Sequence, residues 1–194
     1  MRMSRILAMT FALSLAAQFC FADGSDFSGI NVVGLDGKTV AVSSLKKGRF
    51  TVYIAAGSKC PILRQYVPIL NKVYDKWHAR GVEFYLINVA AHDDLKTAQE
   101  EFRDYKLNFP VFIDSSQNLA RKIGFRVSSE TAVVETATGK QVYRGAINDR
   151  YGFDGEKPRA SKNYLDDVIK DISEGHPTLI KSVQAFGCAI TYRR

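Results

Sequence analysis

One cysteine of the chain stands where nucleophilic chemistry is favoured. Cys60 follows a run of β-branched and aromatic residues at 50–56, which predicts a buried strand. Beyond it, apolar side chains recur with the spacing of a helix, at Leu63, Tyr66, Val67, Leu70, Val73, Tyr74 and Trp77. The first amides of a helix lack internal partners and carry partial positive charge. A thiol at this junction should therefore ionise readily and act as a thiolate nucleophile.

Three neighbours of Cys60 agree with this interpretation. Pro61 occupies the predicted first helical turn, where its missing N–H costs little. Lys59 precedes the cysteine and Arg64 lies one helical turn on, so both cations are expected to support the thiolate. The competing interpretation is a buried, inert cysteine that only fills space. The coincidence of strand, turn, proline and helix start favours the reactive cysteine.

The first 22 residues have the composition of a secretory signal peptide. Arg2 and Arg5 precede an apolar run at 6–17, and the small residues Cys20 and Ala22 fit cleavage after Ala22. This run is too short for a transmembrane helix, and no other segment is long and apolar enough to span a membrane. The sequence therefore predicts a periplasmic or secreted protein, mildly basic because the whole chain has a net charge of +7.

Cleavage at that point would leave two cysteines, Cys60 and Cys188, in an oxidising compartment. An even pair of this kind predicts a disulfide, but its role is open at this stage. Three arrangements are open. The two residues could form a catalytic or redox-switching pair, they could form a structural disulfide that fixes the C-terminal tail, or they could lie apart. In the first arrangement, Cys188 would attack a mixed disulfide or a sulfenate on Cys60.

The elements that must position Cys60 predict an α/β fold. A turn at Asp36-Gly37 between two short strands predicts an N-terminal β-hairpin. The apolar runs 50–56 and 82–89 flank the helix of Cys60 and predict a parallel βαβ unit, covered on both faces. Further helices and an antiparallel hairpin at 131–147 complete one mixed sheet flanked by helices, in the order β-β-β-α-β-α-β-α-β-β-α.

The sequence divides into a signal peptide at 1–22, one domain at 23–175 and a C-terminal tail at 176–194 that packs on the domain. Glycines are expected to end helices, and short polar residues to begin them. The expected stops are Gly81, Gly124 and Gly175, and the expected caps are Asp93 or Asp94 and, for the last helix, Ser161. The polar stretch 148–160 is expected to be irregular.

This arrangement resembles the thioredoxin fold, and more narrowly the redoxin family related to alkyl hydroperoxide reductase and thiol-specific antioxidant proteins. The resemblance rests on strand, Cys60-Pro61 and helix, on Pro68 inside that helix, and on the segment 109–114. The tail motif Gly187-Cys188-Ala189-Ile190 is similar to an exported bacterial subgroup. The resemblance implies a redox-active centre at Cys60.

At three positions the sequence departs from the motifs of the thioredoxin-fold proteins that it resembles. Thioredoxin oxidoreductases carry a second cysteine where this chain has Leu63, which excludes local dithiol exchange. Peroxiredoxins carry Thr or Ser where this chain has Gly57, with Ser58 one residue away. The fold usually places a cis-proline opposite the cysteine, and Ser129 stands at that position. A non-proline cis bond costs several kcal/mol, so Ser129 is expected to be trans.

The favoured function is thiol-based oxidoreductase chemistry on protein thiols, protein disulfides or a small oxidant, with Cys60 as nucleophile and Cys188 as resolving thiol. Two alternatives remain. The first is a non-enzymatic thioredoxin-fold scaffold that binds a partner and holds a structural Cys60–Cys188 disulfide. The second is an atypical thiol peroxidase.

The sequence offers no pattern for a cofactor, a metal or a nucleic acid. Glycine motifs for nucleotides and basic stripes for nucleic acids are both absent from it. Of the three histidines, His78 and His176 are expected at the surface, and His92 is expected to cap or to lie at the surface rather than to bind a metal.

Overall fold

A central mixed sheet organises the fold. The computed structural model describes residues 27–45, 47–57, 59–90 and 94–194. Eight strands form the main sheet: β1 (Asn31–Gly34), β2 (Thr39–Ala41), β3 (Phe50–Ala56), β4 (Val82–Asn88), β5 (Val111–Ile113), β6 (Thr131–Glu135), β7 (Gln141–Gly145) and β10 (Ser182–Val183). Their order across the sheet is β10-β7-β6-β3-β4-β5-β1-β2. This mixed α/β sheet, flanked by helices, is the predicted fold class.

Strand β3 lies in the middle of the sheet, and every one of its residues is buried. It pairs in parallel with β4 and antiparallel with β6. A strand covered on both faces needs a continuous apolar sequence, which explains why the run 50–56 does not alternate. The helix that follows, α1 (Pro61–Trp77), connects β3 to β4 and completes the predicted βαβ unit.

Two apolar clusters cover the two faces of the sheet. On one face, α1 packs with α2 (Leu95–Arg103) and α4 (Tyr164–Ser173). On the other, α3 (Asn118–Ile123) packs with Phe27 and the short 3₁₀ turn Val42–Leu45. Alternate residues of β3 supply both clusters, because successive side chains of a strand point to opposite faces. The first residue of α1 is therefore held at the edge of a large core.

The predicted helix ends are largely confirmed. A 3₁₀ turn, His78–Arg80, extends α1 and is closed by Gly81 at φ 81°, and α3 ends at Gly124 at φ 83°. Both glycines occupy the left-handed region that other residues avoid. Asp94 begins α2, since its carboxylate accepts the N–H of Thr97 at 2.8 Å.

The region before the last helix differs from the prediction in two ways. It contains a small hairpin of β8 (Tyr151–Gly152) and β9 (Gly155–Glu156) where irregular chain was expected. Ser161 is not the cap of α4, which begins after Asn163. The Ser161 hydroxyl donates instead to the carboxylate of Asp149 at 2.6 Å, so Asp149 competes for the expected capping group.

The C-terminal segment adds a strand that the sequence did not predict. Ser182 and Val183 form β10, which pairs in parallel with Arg144 and Gly145 at the edge of the sheet. Within the described ranges, no helix is long and apolar enough to cross a membrane. The predicted signal peptide at 1–22, with Cys20, lies outside the described residues.

Candidate redox site

Cys60 stands directly before the first turn of α1. It is the N-cap residue, with φ −73° and ψ 111°, and Pro61 follows at the first helical position. The exposed fraction of Cys60 is 0%, so its sulfur is sealed from solvent. The residue before it, Lys59, has φ 55°, and its backbone N–H donates to the Glu101 carboxylate at 2.5 Å. That bond ties the loop before the cysteine to α2.

The C-terminal tail brings Cys188 to the same place. The tail lies antiparallel to the segment 126–128, with Val127 opposite Ala189. The Ser128 N–H donates to the Cys188 carbonyl at 2.8 Å, and the Ile190 N–H donates to the Arg126 carbonyl at 2.9 Å. This pairing sets the register of the tail and puts the side chain of Cys188 against Cys60.

Gly187 makes the close approach of the tail achievable. A Cβ at this position would overlap the carbonyl oxygen of Ser128 and crowd the Ser129 hydroxyl. Any other residue would therefore push the tail away from the segment 126–129. The glycine before Cys188 is thus required sterically, in addition to being part of the tail motif on which the family resemblance rests.

The pKa of Cys60 lies below the ordinary range of a thiol. Burial raises the pKa, but four hydrogen bonds to the sulfur outweigh that effect. The donors are the backbone N–H groups of Leu63 and Cys188, the Ser128 hydroxyl and the Cys188 thiol. Hydrogen bonds of this kind stabilise the charged form of an acid. The Leu63 N–H in the first turn of α1 is one of the groups that lower this pKa, and stabilisation of the thiolate by the helix start stays a prediction.

Cys188 has the opposite character. Partial burial of its sulfur, the donation of its proton to Cys60 and the negative charge of Cys60 together raise the pKa of Cys188 to about 11. Cys188 as a residue is exposed, and both cysteines are free thiols in the structure. The pair consists of a buried sulfur that ionises readily and an exposed sulfur that keeps its proton.

Ser128 is a residue of the site that the sequence did not identify. Its side chain is fully buried beside Gly57, and its hydroxyl accepts the Gly57 N–H at 2.9 Å. The hydroxyl hydrogen is then directed to Cys60. No local pattern could have identified Ser128, because it reaches the site from the loop before β6, far along the chain.

Glu130 fixes the loop that carries Ser128. It is buried to 1% exposure, and its carboxylate accepts the Arg126 N–H at 2.7 Å. The other carboxylate oxygen forms an ion pair with Arg144 at 3.3 Å, without the alignment of a hydrogen bond. Arg144 also donates to the Ile123 carbonyl at 3.2 Å. Glu130 therefore connects the loop to β7 and to the end of α3.

Ser129, the residue at the expected cis-proline position, is trans as predicted. It has φ 68°, in the left-handed region. Its N–H donates to the Ala55 carbonyl at 2.8 Å, and its hydroxyl donates to the Phe186 carbonyl at 3.0 Å. Ser129 thus holds the tail one residue before Gly187, which gives it a positioning role near Cys60.

A cavity of about 620 Å³ borders Cys60, and its lining comes from the start of α1 and from α2 with the residues after it. Lys59 and Arg64 line it, opposite the acidic residues Glu100, Glu101 and Asp104 of α2 and its end. The Arg64 guanidinium lies 6.0 Å from the ring centre of Tyr105. The hydrogen-bond donors around the sulfur account for the lowered pKa of Cys60, and electrostatic support from the two cations stays a prediction.

Further contacts hold the end of the tail. The Tyr192 hydroxyl donates to the Phe125 carbonyl at 2.6 Å. The Gln117 side chain donates to the Thr191 carbonyl at 2.9 Å and accepts the Arg193 N–H at 2.8 Å. With β10 on one side of Cys188 and these bonds on the other, the tail is fixed at both ends.

Three further residues discussed from the sequence, Ser58, His92 and Asp93, lie outside the described residues. Among the part of the chain that the structure describes, no group of three or more His, Cys, Asp or Glu side chains could hold a metal ion.

Comparison with known proteins agrees with this chemistry. The sequence profile of the AhpC/TSA family matches residues 24–144, which is more than half of the chain. Thiol-disulfide oxidoreductase ResA of Bacillus thuringiensis is 29% identical over 127 residues, covering 61% of this chain and 70% of that protein.

Solved structures share the fold at lower identity. A hypothetical protein of Sinorhizobium meliloti superposes with a TM-score of 0.75 at 18% identity, covering 88% of this chain and 94% of its own. A putative thiol:disulfide interchange protein DsbE of Chlorobium tepidum gives 0.61 at 21% identity, covering 78% of this chain and 97% of its own. These likenesses show a thioredoxin-like fold.

Proposed function

The chain belongs to the AhpC/TSA family, and from that premise we propose that it is an exported thiol-disulfide exchange protein. Cys60 supplies the stabilised thiolate, and Cys188 is the second sulfur with which it forms and opens a disulfide. One observation carries this proposal: the tail pairs with the segment 126–128, with the Ser128 N–H donating to the Cys188 carbonyl at 2.8 Å, and so sets Cys188 beside Cys60. The opposite pKa shifts of the two thiols are consistent with that proximity. The relatives named as a thiol-disulfide oxidoreductase and a thiol:disulfide interchange protein support the same class of reaction.

The pair replaces the local dithiol of thioredoxin oxidoreductases. Leu63 stands where those proteins have their second cysteine. The second thiol comes from the tail, through the register set by Ser128 and Cys188. In a full cycle, a partner dithiol loses two electrons and becomes a disulfide, while the Cys60–Cys188 disulfide gains them and becomes two thiols.

The difference in pKa gives the two sulfurs different tasks. A sulfur of lower pKa leaves faster from a disulfide and forms its thiolate more readily. The lowered pKa of Cys60 favours it in both respects. Cys188, with its pKa raised to about 11, stays protonated next to the thiolate. Thiol-disulfide exchange uses this difference in pKa, whereas a structural disulfide does not need it.

Export to the periplasm or beyond is part of the proposal. Its support is the signal-peptide composition of residues 1–22, together with a cysteine pair suited to an oxidising compartment. N-terminal sequencing of the protein from a cell-envelope or medium fraction tests this part. A mature chain that begins near Asp23 is the expected result, and an uncleaved chain in the cytosolic fraction would contradict it.

A redox titration tests the reaction. The mature protein is equilibrated with dithiothreitol buffers of different poise, the free thiols are alkylated, and mass spectrometry counts them. We expect a Cys60–Cys188 disulfide that opens in the folded protein, and no such transition in Cys60→Ser or in Cys188→Ser. A bond that opens only on unfolding would identify a structural staple, and two thiols that never join would remove the proposed function.

A further inference from the structure

The two sulfurs of the site differ in which of them a partner can reach. Cys60 has an exposed fraction of 0%, although it ends a cavity and has the lower pKa. Cys188 is exposed, and it covers Cys60 from the side of the tail. The sulfur with the lower pKa, that of Cys60, is therefore the buried one, and the exposed residue is Cys188 in the tail.

The tail also occupies the backbone groups beside Cys60 that a partner chain could otherwise use. The Ser128 N–H and the Arg126 carbonyl are both taken by the tail, at 2.8 Å and 2.9 Å. Ser129 adds its hydroxyl to the Phe186 carbonyl at 3.0 Å. An extended partner segment cannot pair with these groups while the tail is in place, because each is already satisfied.

The tail is held too firmly for its displacement to be the easiest route. On one side of Cys188, β10 pairs with Arg144 and Gly145. On the other, Tyr192 bonds to Phe125 at 2.6 Å and Arg193 bonds to Gln117 at 2.8 Å. The ring of Phe153, at the tip of the β8–β9 hairpin, packs against Phe186 with 4.9 Å between ring centres. Opening the tail would break these contacts together.

We propose that partner thiols exchange with the chain at Cys188, so that the mixed disulfide forms on the exposed tail sulfur while Cys60 stays buried. This inference rests on the proposed function and names the atom at which the partner enters. The partner is a peptide or protein thiol, since an accessible sulfur is all that attack at Cys188 requires. Cys188 then passes the exchange on to Cys60 while the tail stays in place.

The steps balance as two exchanges. In the first, a partner thiolate attacks the Cys188 sulfur of the Cys60–Cys188 disulfide, the partner–Cys188 bond forms, and the electron pair of the broken bond leaves on Cys60. In the second, another thiolate of the partner attacks the partner sulfur, the partner disulfide forms, and Cys188 leaves and takes a proton from solvent. The low pKa of Cys60 favours its departure in the first step.

Identifying the glutathionylated cysteine tests the inference on the full mature chain. The oxidised protein is mixed with reduced glutathione, quenched with acid at early times and alkylated, and peptide mass spectrometry locates the glutathione. We expect glutathione on Cys188 and the alkyl group on Cys60. Glutathione mainly on Cys60 would overturn the inference and leave the proposed function intact. Failure of the chain to form any Cys60–Cys188 disulfide would remove the proposed function, and the inference with it.

A second measurement tests the tail as the barrier over Cys60. In Cys188→Ser, the only thiol of the mature chain is Cys60, and we expect slow modification by oxidised glutathione. Adding Gly187→Ala should push the tail off Ser128 and speed the modification about tenfold or more, as a steric cost of this kind allows. Adding Gly152→Ala, where a Cβ meets nothing within 4 Å, is the matched control and should change nothing. Equal rates for the Gly187→Ala and Gly152→Ala combinations would show that Cys60 is reached by another route and would overturn the inference.

Discussion

Ser128 accepts the backbone N–H of Gly57 at 2.9 Å and directs its own hydrogen to the sulfur of Cys60. One hydroxyl thus fixes the loop between β3 and α1 and stabilises the thiolate that this loop carries. The Ser128 N–H meanwhile donates to the Cys188 carbonyl. A single residue therefore contacts both halves of the cysteine pair, which makes it the most informative position for substitution.

Ser128→Ala should raise the pKa of Cys60, because a donor to the thiolate is lost. The thiolate fraction grows as pH rises through the pKa, so the pH profile should move to higher pH. At a pH below the pKa of both proteins, the thiolate fraction should fall about tenfold, as expected for one hydrogen bond to a charged group. Thiolate absorbance of the Cys188→Ser background, followed against pH, measures the shift.

Ser44→Ala provides the control for that experiment. Ser44 is exposed and donates its hydroxyl to the Ala41 carbonyl at 2.7 Å, far from the cysteine pair. The control should leave the titration where it was. An unchanged titration in Ser128→Ala would show that the Ser128 hydroxyl does not stabilise the thiolate.

Glu130→Gln should destabilise the protein by about 3 kcal/mol, because breaking a buried ion pair leaves its partner uncompensated. Glu130 is 1% exposed and pairs with Arg144 at 3.3 Å. Glu100→Gln removes an exposed pair with Lys96 at 4.0 Å and should cost less than about 1 kcal/mol. Urea unfolding of both variants measures the difference, and equal losses would contradict the assigned role of Glu130.

Asp149→Asn should change how stability depends on acid. Hydrogen bonds from Lys157 and Ser161 and from the Lys162 N–H hold the pKa of Asp149 well below its usual range. A carboxylate of this kind stabilises the fold fully when the pH is above its pKa in the unfolded chain, about 3.9. It loses that contribution as the pH falls toward its pKa in the folded protein. The melting temperature of Asp149→Asn should therefore lie below wild type at pH 7, and the gap should narrow in strong acid.

Asp154→Asn is the comparison for Asp149, since Asp154 is an exposed aspartate at the turn of the neighbouring β8–β9 hairpin. At pH 7 its melting temperature should be close to that of the wild type, as expected for an exposed side chain. A gap for Asp149→Asn that stays constant from neutral pH into strong acid would mean that its charge has no part in stability.

Asp166→Ala should cost about 2 kcal/mol, the scale of leaving a buried donor without its charged acceptor. The indole N–H of Trp77 donates to Asp166 at 2.6 Å, and Trp77 is 2% exposed. Lys76 also pairs with Asp166 at 2.7 Å, so the carboxylate joins α1 to α4. Asp167→Ala removes an exposed neighbour in the same helical turn and should be nearly neutral. Thermal unfolding of the two variants measures the difference in stability. Similar losses of stability would contradict the role of Asp166 in joining α1 to α4.

The sequence predicted those parts of the fold that depend on neighbouring residues. The β3–α1 junction at Cys60, the left-handed stops Gly81 and Gly124, and the cap Asp94 are all confirmed. Each depends on a local signal, such as a run of apolar residues or a glycine at a helix end. Ser161 shows the limit of local signals, since the distant carboxylate of Asp149 takes its hydroxyl.

The site could be predicted only in part for the same reason. Cys60 could be proposed as the reactive residue because that expectation follows from the elements on either side of it. Contact with Cys188 belonged to two of three open arrangements, and the third had none, because spacing in sequence does not give the distance between tail and domain. Ser128 and Glu130 were missed, since their roles arise from the folded loop before β6.

The tail that is fixed at both ends places one thiol beside another that is 128 positions earlier in the sequence. In the unfolded chain the two would meet rarely, so the native fold creates their high effective concentration. A disulfide between them would close a loop for which chain entropy predicts stabilisation of roughly 4 to 5 kcal/mol. The two effects are linked in one thermodynamic cycle. The free energy by which the bond stabilises the fold equals the free energy by which the fold makes the bond harder to reduce. Any substitution that loosens the tail should therefore raise the reduction potential of the pair, even when it touches neither sulfur.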